Sequence, residues 1–171
     1  MPLVFAYGSL VARGGRPAVL PGHRRTWAVA MDNAHALPGY KRYADPLTGA
    51  HPAVRVAFLD LARDPAVRVE GVLLDVDAAQ LAALDARERN YVRTAVALQG
   101  GLHAWTYRGS AEGRARGRRP PVVVQRAYLD AARAAYAALA PGALSRFDAS
   151  TDPPPGPVLA LVREELPPTV G

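Results

Sequence analysis

The spacing of apolar residues along the chain predicts several strands. Six apolar runs have the length of strands: 3–7, 24–31, 54–61, 67–76, 91–98 and 102–107. The third and fourth runs meet at Asp64-Pro65, where a bend is expected. The last two flank Gly100-Gly101, which is typical of the turn of a β-hairpin. Strands and helices follow one another in an order that favours an α+β fold with a mixed or curled sheet.

Two segments have the pattern of helices. Asp77 is the expected N-cap of a first helix, which runs from residue 78 to Arg87 or a little beyond. On its polar side, Asp85 and Arg89 are four residues apart and are expected to pair. A second, Ala-rich helix is predicted over 126–139 and ends before a Pro-Gly pair.

The remaining segments are rich in proline and glycine. Residues 33–52 predict an irregular loop, and the C-terminal extension 141–171 is expected to pack on the rest as extended chain with an acidic patch at Glu164-Glu165. The chain of 171 residues contains no internal repeat and no long linker. We therefore expect one domain over 1–171.

One carboxylate lies on the apolar side of the first predicted helix. Leu81, Leu84 and Glu88 are spaced by three and four residues, so they share one face. Partial burial there is expected to raise the pKa of Glu88 and make it a usable acid or base near neutral pH. The alternative is that the helix frays before Glu88, which then pairs at the surface with Arg87 or Arg93. Periodicity alone leaves both interpretations open.

A second candidate is Tyr7-Gly8-Ser9-Leu10, at the end of the first strand. Gly8 permits backbone conformations that other residues resist, and consecutive N–H groups there would suit an anion. The alternative is an ordinary turn that ends a strand. A serine-hydrolase elbow is excluded, because it needs glycine two residues after Ser9 and position 11 is Val.

Composition excludes several chemistries. The chain has no Cys, so it has no disulfide framework, thiolate nucleophile or Cys-ligated metal. The four histidines show no helical i, i+4 spacing, and no metal is expected: His23, His35, His51 and His103. No uncharged apolar stretch approaches the ~18 residues of a membrane span, and the first residues lack the pattern of a targeting segment. We expect a soluble, cytoplasmic protein.

The positive charge is concentrated in one segment. Of 21 basic residues 20 are Arg, Lys41 being the only lysine, and the net charge is +6. Residues 108–119 hold five Arg and one Glu, so they carry +4 of it. We interpret this Gly-rich segment as a solvated connection between hairpin and helix. The alternative is a flexible arm on phosphates, but no aromatic residues are interleaved for base stacking, so nucleic acid is not the expected partner.

Four segments occur here in the order and spacing of a known family: Val-Phe-Ala-Tyr-Gly-Ser-Leu (4–10), Val-Leu-Pro-Gly-His-Arg-Arg-Thr-Trp (19–27), Glu-Gly-Val-Leu-Leu-Asp-Val (70–76) and Leu-Asp-Ala-Arg-Glu-Arg-Asn-Tyr-Val-Arg (84–93). Over about residues 3–140 the chain resembles the γ-glutamylcyclotransferases, the superfamily that includes the ChaC-like and AIG2-like proteins. The resemblance implies a small mixed β-barrel or sheet with flanking helices.

The resemblance also implies a reaction and a site. The α-amine of a γ-glutamyl compound attacks its own γ-amide carbonyl, which closes 5-oxoproline and releases the amine. By this match Glu88 is the catalytic acid and base. Tyr7, Gly8, Ser9 and Leu10, with Tyr91 and Tyr128, are the expected substrate-binding residues. The nucleophile lies in the substrate, so no cofactor is expected. The expected partner is a small γ-glutamyl molecule, and the expected state is a monomer or homodimer.

The substrate and the activity stay open at this point. Arg87-Glu88 is similar to the ChaC-like branch, but Arg89-Asn90-Tyr91 stands where that branch usually has glycines before the tyrosine. Glutathione, γ-glutamyl amino acids and γ-glutamyl amines are all candidate substrates. Two alternatives to cyclisation are a catalytically idle module that binds γ-glutamyl compounds, as in a stress response, and a γ-glutamyl hydrolase on the same fold.

Overall fold

The computed structural model describes residues 1–170 and shows an α+β fold, a mixed sheet flanked by helices. The strands are β1 (Leu3–Ala6), β2 (Arg16–Asp32), β3 (Lys41–Ala44), β4 (Arg55–Asp75), β5 (Tyr91–Ala97), β6 (His103–Gly109), β7 (Val122–Gln125), β8 (Val158–Leu159) and β9 (Val162–Glu165). The α-helices are α1 (Ala78–Arg87), α2 (Ala111–Gly117), α3 (Arg126–Leu139) and α4 (Ala143–Ala149). A 3-10 helix, Ser9–Arg13, follows β1 directly.

The long strand β4 organises the main sheet, whose order is β5-β6-β1-β4-β7-β8 with β2 also paired to β4. β2 runs antiparallel to β4 along its length, and residues 64–67 bulge out without a partner on β2. On the other edge of β4, the pairing to β7 ends at Val56 and the pairing to β1 begins at Val72. The edge between these two residues is where the candidate site lies.

Most apolar side chains pack into one core between the sheet and the helices. Its largest fully buried members include Phe5, Leu59, Leu84, Tyr136 and Phe147. A smaller cluster joins β3 to the main sheet and contains Met31, Tyr43, Val56, Phe58, Val123 and Leu161. Burial of this apolar surface is the main favourable contribution to folding.

Elements specified by local sequence form as expected. α1 begins at a capping box, in which the Gln80 N–H donates to Asp77 at 2.7 Å and the Asp77 N–H donates to the Gln80 side chain at 2.8 Å. It ends at Arg87. β5 and β6 form the predicted antiparallel hairpin, and α3 covers the predicted 126–139.

The Arg-rich segment 108–119 is not a solvated loop, because its centre forms α2. Ser110 caps this helix by accepting a hydrogen bond from the Gly113 N–H at 3.0 Å. A Cβ at Gly117 would lie 2.1 Å from the Ala28 carbonyl oxygen, so this glycine lets α2 pack closely on β2. Arg114 donates to Asp60, which is 1 % exposed, at 2.7 Å. Part of the charge in this segment is therefore structural.

Three further expectations are wrong in detail. The strand predicted over 24–31 extends over Arg16–Asp32, because β4 offers a partner along all of that length. The predicted loop 33–52 contains β3, which pairs with β9 and so depends on a distant partner. The tail is not extended throughout, since residues 143–149 form α4 and pack Phe147 in the core.

No helix within 1–170 is both long and apolar enough to span a membrane.

Candidate active site

A small pocket, about 350 Å³ when the open space at its mouth is counted, lies beside the edge of β4 between Val56 and Val72. Its walls come from the end of β1 and the loop after it, the first third of β4, the end of α1, the hairpin and the start of α3. All the site residues expected from the sequence line it: Tyr7, Gly8, Ser9, Leu10, Glu88, Tyr91 and Tyr128. Leu59 and Tyr107 also line it and were not predicted, because a leucine in a strand and a tyrosine in a hairpin are ordinary core residues by sequence.

The 7–10 loop forms one wall of this pocket. The Tyr7 carbonyl accepts hydrogen bonds from Arg25 Nε at 2.8 Å and from the Tyr136 hydroxyl at 2.9 Å, which fixes the orientation of the loop. The N–H groups of Ser9 and Leu10 open the 3-10 helix, so they have no acceptor within that helix. Only at Val11 does the N–H donate back to the Gly8 carbonyl, at 3.0 Å.

Arg25 is the fully buried residue that holds this loop in place. Its Nη1 donates to Ser150 Oγ at 2.8 Å, and its Nη2 donates to the Glu70 carbonyl and the Tyr136 hydroxyl at 2.5 Å each. The guanidinium carbon lies 4.6 Å from the ring centroid of Tyr136. Burial lowers the pKa of Arg25 below its ordinary value. All these acceptors are neutral oxygens, so Arg25 links β2 to the helices by hydrogen bonds rather than ion pairs.

Two tyrosine hydroxyls complete the unpaired edge of β4 at Leu59. The Tyr91 hydroxyl donates to the Leu59 carbonyl at 2.6 Å, and the Leu59 N–H donates to the Tyr128 hydroxyl at 3.4 Å. The Tyr7 hydroxyl donates to the Tyr107 carbonyl at 2.7 Å. Burial raises the pKa of Tyr7, Tyr91 and Tyr128 above the ordinary value, so all three stay protonated. Tyr128 is the one whose hydroxyl proton remains available to a ligand.

Glu88 is the first residue after α1 rather than a residue within the helix, and it closes α1 with an N–H to the Leu84 carbonyl at 2.9 Å. Its side chain is only 16 % exposed and lies 3.6 Å from Arg87 Nε. Burial raises the pKa of Glu88, although Arg87, Lys41 and Arg13 act in the opposite direction. The alternative that the sequence left open is correct in part, because α1 ends before Glu88 and the carboxylate lies near Arg87. It is wrong in placing Glu88 at the surface, because the carboxylate is largely buried.

Asp85 holds the end of α1 to the hairpin. It accepts a hydrogen bond from the Tyr107 hydroxyl at 2.7 Å and pairs with Arg93 at 2.9 Å. The expected pair of Asp85 with Arg89 does not form, because Arg89 lies over the ring of Tyr40 at 5.2 Å instead. Asp85 therefore holds the end of α1, just before Glu88, against the hairpin.

A larger groove of about 1330 Å³ adjoins the pocket and is also open to solvent. Ser9, Glu88, Tyr91 and Tyr128 line both, so Glu88 stands at their boundary. Lys41 lines the groove with Nζ 3.9 Å from the Phe58 ring centroid. The sequence contained one signal for it, since Lys41 is the only lysine beside 20 arginines.

The sequence predicts no metal site. The side chains that bear on this prediction are the histidines and the carboxylates near them. His51 lies 2.7 Å from Glu164, and His35 lies 3.0 Å from Asp32. Over the part of the chain that the structure describes, no group of three or more His, Asp and Glu side chains is placed to hold a metal ion.

Comparison with known proteins gives the family. The model of the family described as "Gamma-glutamyl cyclotransferase, AIG2-like" matches residues 4–143. The chain therefore belongs to the AIG2-like gamma-glutamyl cyclotransferase family, and the resemblance read from its sequence is confirmed. No curated protein matches it significantly in sequence.

A solved structure shares the fold at low identity. A gamma-glutamyl cyclotransferase superimposes with a TM-score of 0.53 at 14 % identity, covering 92 % of this chain and 93 % of the other. A yeast gamma-glutamyl cyclotransferase specific to glutathione gives a TM-score of 0.45 at 14 % identity, covering 87 % and 86 % of the two chains. The first of these confirms the expected α+β fold.

Proposed function

We propose that this protein cyclises a γ-glutamyl peptide or amine to 5-oxoproline and releases the amine. One observation supports this best. Glu88, a largely buried carboxylate with a raised pKa, lines one pocket together with the 7–10 loop and borders a second groove. That arrangement suits a reaction in which one carboxylate moves a proton between two nitrogens of the same substrate.

The pocket suits the glutamyl moiety. The N–H groups of Ser9 and Leu10 would donate to the γ-carbonyl oxygen, and the Tyr128 hydroxyl would donate its free proton to the same moiety. Donors fixed before the reaction stabilise negative charge that develops on this oxygen, because they need no reorganisation. Arg25 contributes indirectly by holding the Tyr7 carbonyl.

The chemical step forms one C–N bond and breaks another. The substrate's α-amine attacks the γ-carbonyl carbon, and Glu88 takes one proton from that amine. The tetrahedral intermediate then expels the amide nitrogen, to which Glu88 returns the proton. No water is consumed, and Glu88 ends as the carboxylate it was at the start. Holding the amine near the carbonyl replaces a bimolecular encounter by an intramolecular one.

The test is release of 5-oxoproline by the purified full chain. The substrates are glutathione, γ-glutamyl-alanine, γ-glutamyl-lysine and a γ-glutamyl alkylamine, with product separated from free glutamate. Glu88→Gln is expected to abolish release while still binding the substrate, because glutamine keeps the shape but takes no proton. Glu112→Gln, at an exposed position in α2, is the matched control and should keep full activity.

Each of the other possible outcomes would contradict one part of the proposal. Free glutamate in place of 5-oxoproline would identify a hydrolase. Binding without any product would identify a module that only binds γ-glutamyl compounds. Substantial turnover by Glu88→Gln would exclude this residue as the acid and base.

A further inference from the structure

The groove beside the pocket is strongly cationic. Four basic side chains line it: Lys41, Arg87, Arg89 and Arg163. Glu88 is the only acidic residue in that lining, and the proposed reaction uses it for proton transfer. The groove therefore has an excess of positive charge where the released amine would lie.

Lys41 is one of two basic residues in the groove that have no anionic partner in the described part of the chain. It is partly buried and stacks over Phe58 at 3.9 Å from the ring centroid. Within residues 1–170 its ammonium forms no ion pair within 4.0 Å and no hydrogen bond. Burial, together with nearby Arg163 and Arg87, lowers the pKa of Lys41 to about 8, although Glu88 acts in the opposite direction.

The other three cations differ in how far they are neutralised. Arg163 pairs with Glu165 at 2.5 Å, and Arg87 lies 3.6 Å from Glu88. Arg89 lies over the ring of Tyr40 and, like Lys41, has no ion pair in the described part of the chain. Two cations at this groove thus lack an anion of the protein, and a bound carboxylate would supply one.

We infer that the groove binds a leaving group that carries a carboxylate, and that Lys41 is a specificity-determining residue for it. The inference rests on the proposed function and narrows its substrate class to γ-glutamyl amino acids and peptides over γ-glutamyl amines. Glu88 borders both cavities, so a substrate whose glutamyl part fills the pocket directs its departing amine into the groove. There a carboxylate meets Lys41 and Arg89, whereas a second ammonium meets like charge.

The test compares three compounds with the same four-carbon leaving group and different charge. They are γ-glutamyl-γ-aminobutyrate, γ-glutamyl-butylamine and γ-glutamyl-putrescine, which are anionic, neutral and cationic at that end. We expect kcat/KM to fall in this order, by about tenfold or more between the first and the last, as for a lost charge-assisted hydrogen bond. Equal values, or preference for the cationic compound, would overturn the inference without any variant being made.

Two variants assign the effect to a residue. Lys41→Met keeps a long apolar side chain over Phe58 and is expected to reduce the preference for the anionic compound about tenfold. Arg118→Gln removes a positive charge at an exposed position after α2 and should keep the preference. An unchanged preference in a folded Lys41→Met protein would exclude Lys41 from this role.

A further measurement distinguishes failure of the proposed cyclisation from failure of the inference about the groove. Dissociation constants of the three compounds, measured by calorimetry on Glu88→Gln, report the groove without requiring turnover. No 5-oxoproline from any compound, with the expected order of affinities, would refute the cyclisation but support the anion-binding role of the groove. Normal cyclisation with equal affinities would support the proposed function but refute the anion-binding role of the groove.

Discussion

The Tyr107 hydroxyl donates a hydrogen bond to Asp85 at 2.7 Å, three residues before Glu88. The backbone of the same tyrosine accepts a hydrogen bond from the Tyr7 hydroxyl, also at 2.7 Å. Tyr107 therefore connects the two halves of the site, the loop after β1 and the end of α1. Because Tyr107 lies in β6, the relative position of these two segments depends on the sheet.

Loss of this connection should affect the reaction more than binding. We expect Tyr107→Phe to lower kcat about three- to tenfold, as for one hydrogen bond of about 0.5–1.5 kcal/mol, with little change in KM, because Glu88 is less well positioned. Arg93→Gln removes the other partner of Asp85 at the surface and should leave kcat unchanged. Steady-state kinetics of both variants would decide, and a rise in KM with constant kcat would contradict this positioning role.

The pH dependence of activity should reflect the burial of Glu88. Only the carboxylate accepts a proton from the substrate amine, so kcat/KM is expected to rise with pH through the pKa of Glu88. That pKa is raised above its ordinary value of 4.5 by burial. The acid limb should therefore lie above pH 4.5, measured from about pH 4 to about pH 8. A limb at or below the ordinary value would show that burial does not control this carboxyl.

The same burial predicts that Glu88→Gln stabilises the fold at neutral pH. A carboxyl whose pKa is raised in the folded state binds its proton more tightly there than in the unfolded chain. Folding stability therefore falls as pH rises from 4.5 to the raised value. Glutamine lacks this dependence, so the variant should melt at a higher temperature than the wild type at pH 7. The difference should shrink below pH 4.5, and a large loss of melting temperature at pH 7 would identify a structural role instead.

Tyr91 and Tyr128 are expected to respond differently to loss of their hydroxyls. Tyr91→Phe leaves the Leu59 carbonyl without its 2.6 Å donor and should reduce stability by about 1–3 kcal/mol. Tyr128→Phe removes only a weak 3.4 Å acceptor, so it should change stability by less and instead raise KM. Urea unfolding and kinetics of the pair test this. Equal loss of stability in both would assign Tyr128 to the fold rather than to the substrate.

Two neighbouring arginines provide a matched test of stability. Arg25→Met removes a buried cation that donates to three oxygens besides the Tyr7 carbonyl, and should cost roughly 3 kcal/mol or more. Arg24→Met removes two partly exposed ion pairs, to Asp64 and Asp152, and should cost about 1 kcal/mol or less. Chemical denaturation measures both, and similar costs would contradict the role given to Arg25.

Elements that depend on neighbouring residues were predictable. The Asp77 cap, the spacing of α1, the Gly100-Gly101 turn and the Ala-rich α3 all rely on short-range geometry. β3 was missed because Lys41–Ala44 becomes a strand only by pairing with Val162–Glu165. α2 was missed because Gly113 and Gly117 look like loop residues, and their value lies in close contact with the neighbouring backbone.

The candidate site divides in the same way. Motif order identified the family and placed Tyr7, Glu88 and Tyr128 in one site, because such residues recur at a recognisable spacing. Sequence could not choose between a buried and a surface Glu88, since the residues that surround it, such as Lys41 and Tyr128, come from other segments. Lys41 was visible only as an isolated lysine.

The sequence by itself determined the α+β class, the family, the helices α1 and α3, the hairpin, and most of the residues that line the candidate pocket. The tertiary structure decided the raised pKa of Glu88, the free hydroxyl proton of Tyr128 and the uncompensated charge of Lys41. The reason is physical. A spacing is a property of consecutive residues, whereas a pKa and a hydrogen-bond partner depend on solvent exclusion and on groups that folding brings from distant parts of the chain.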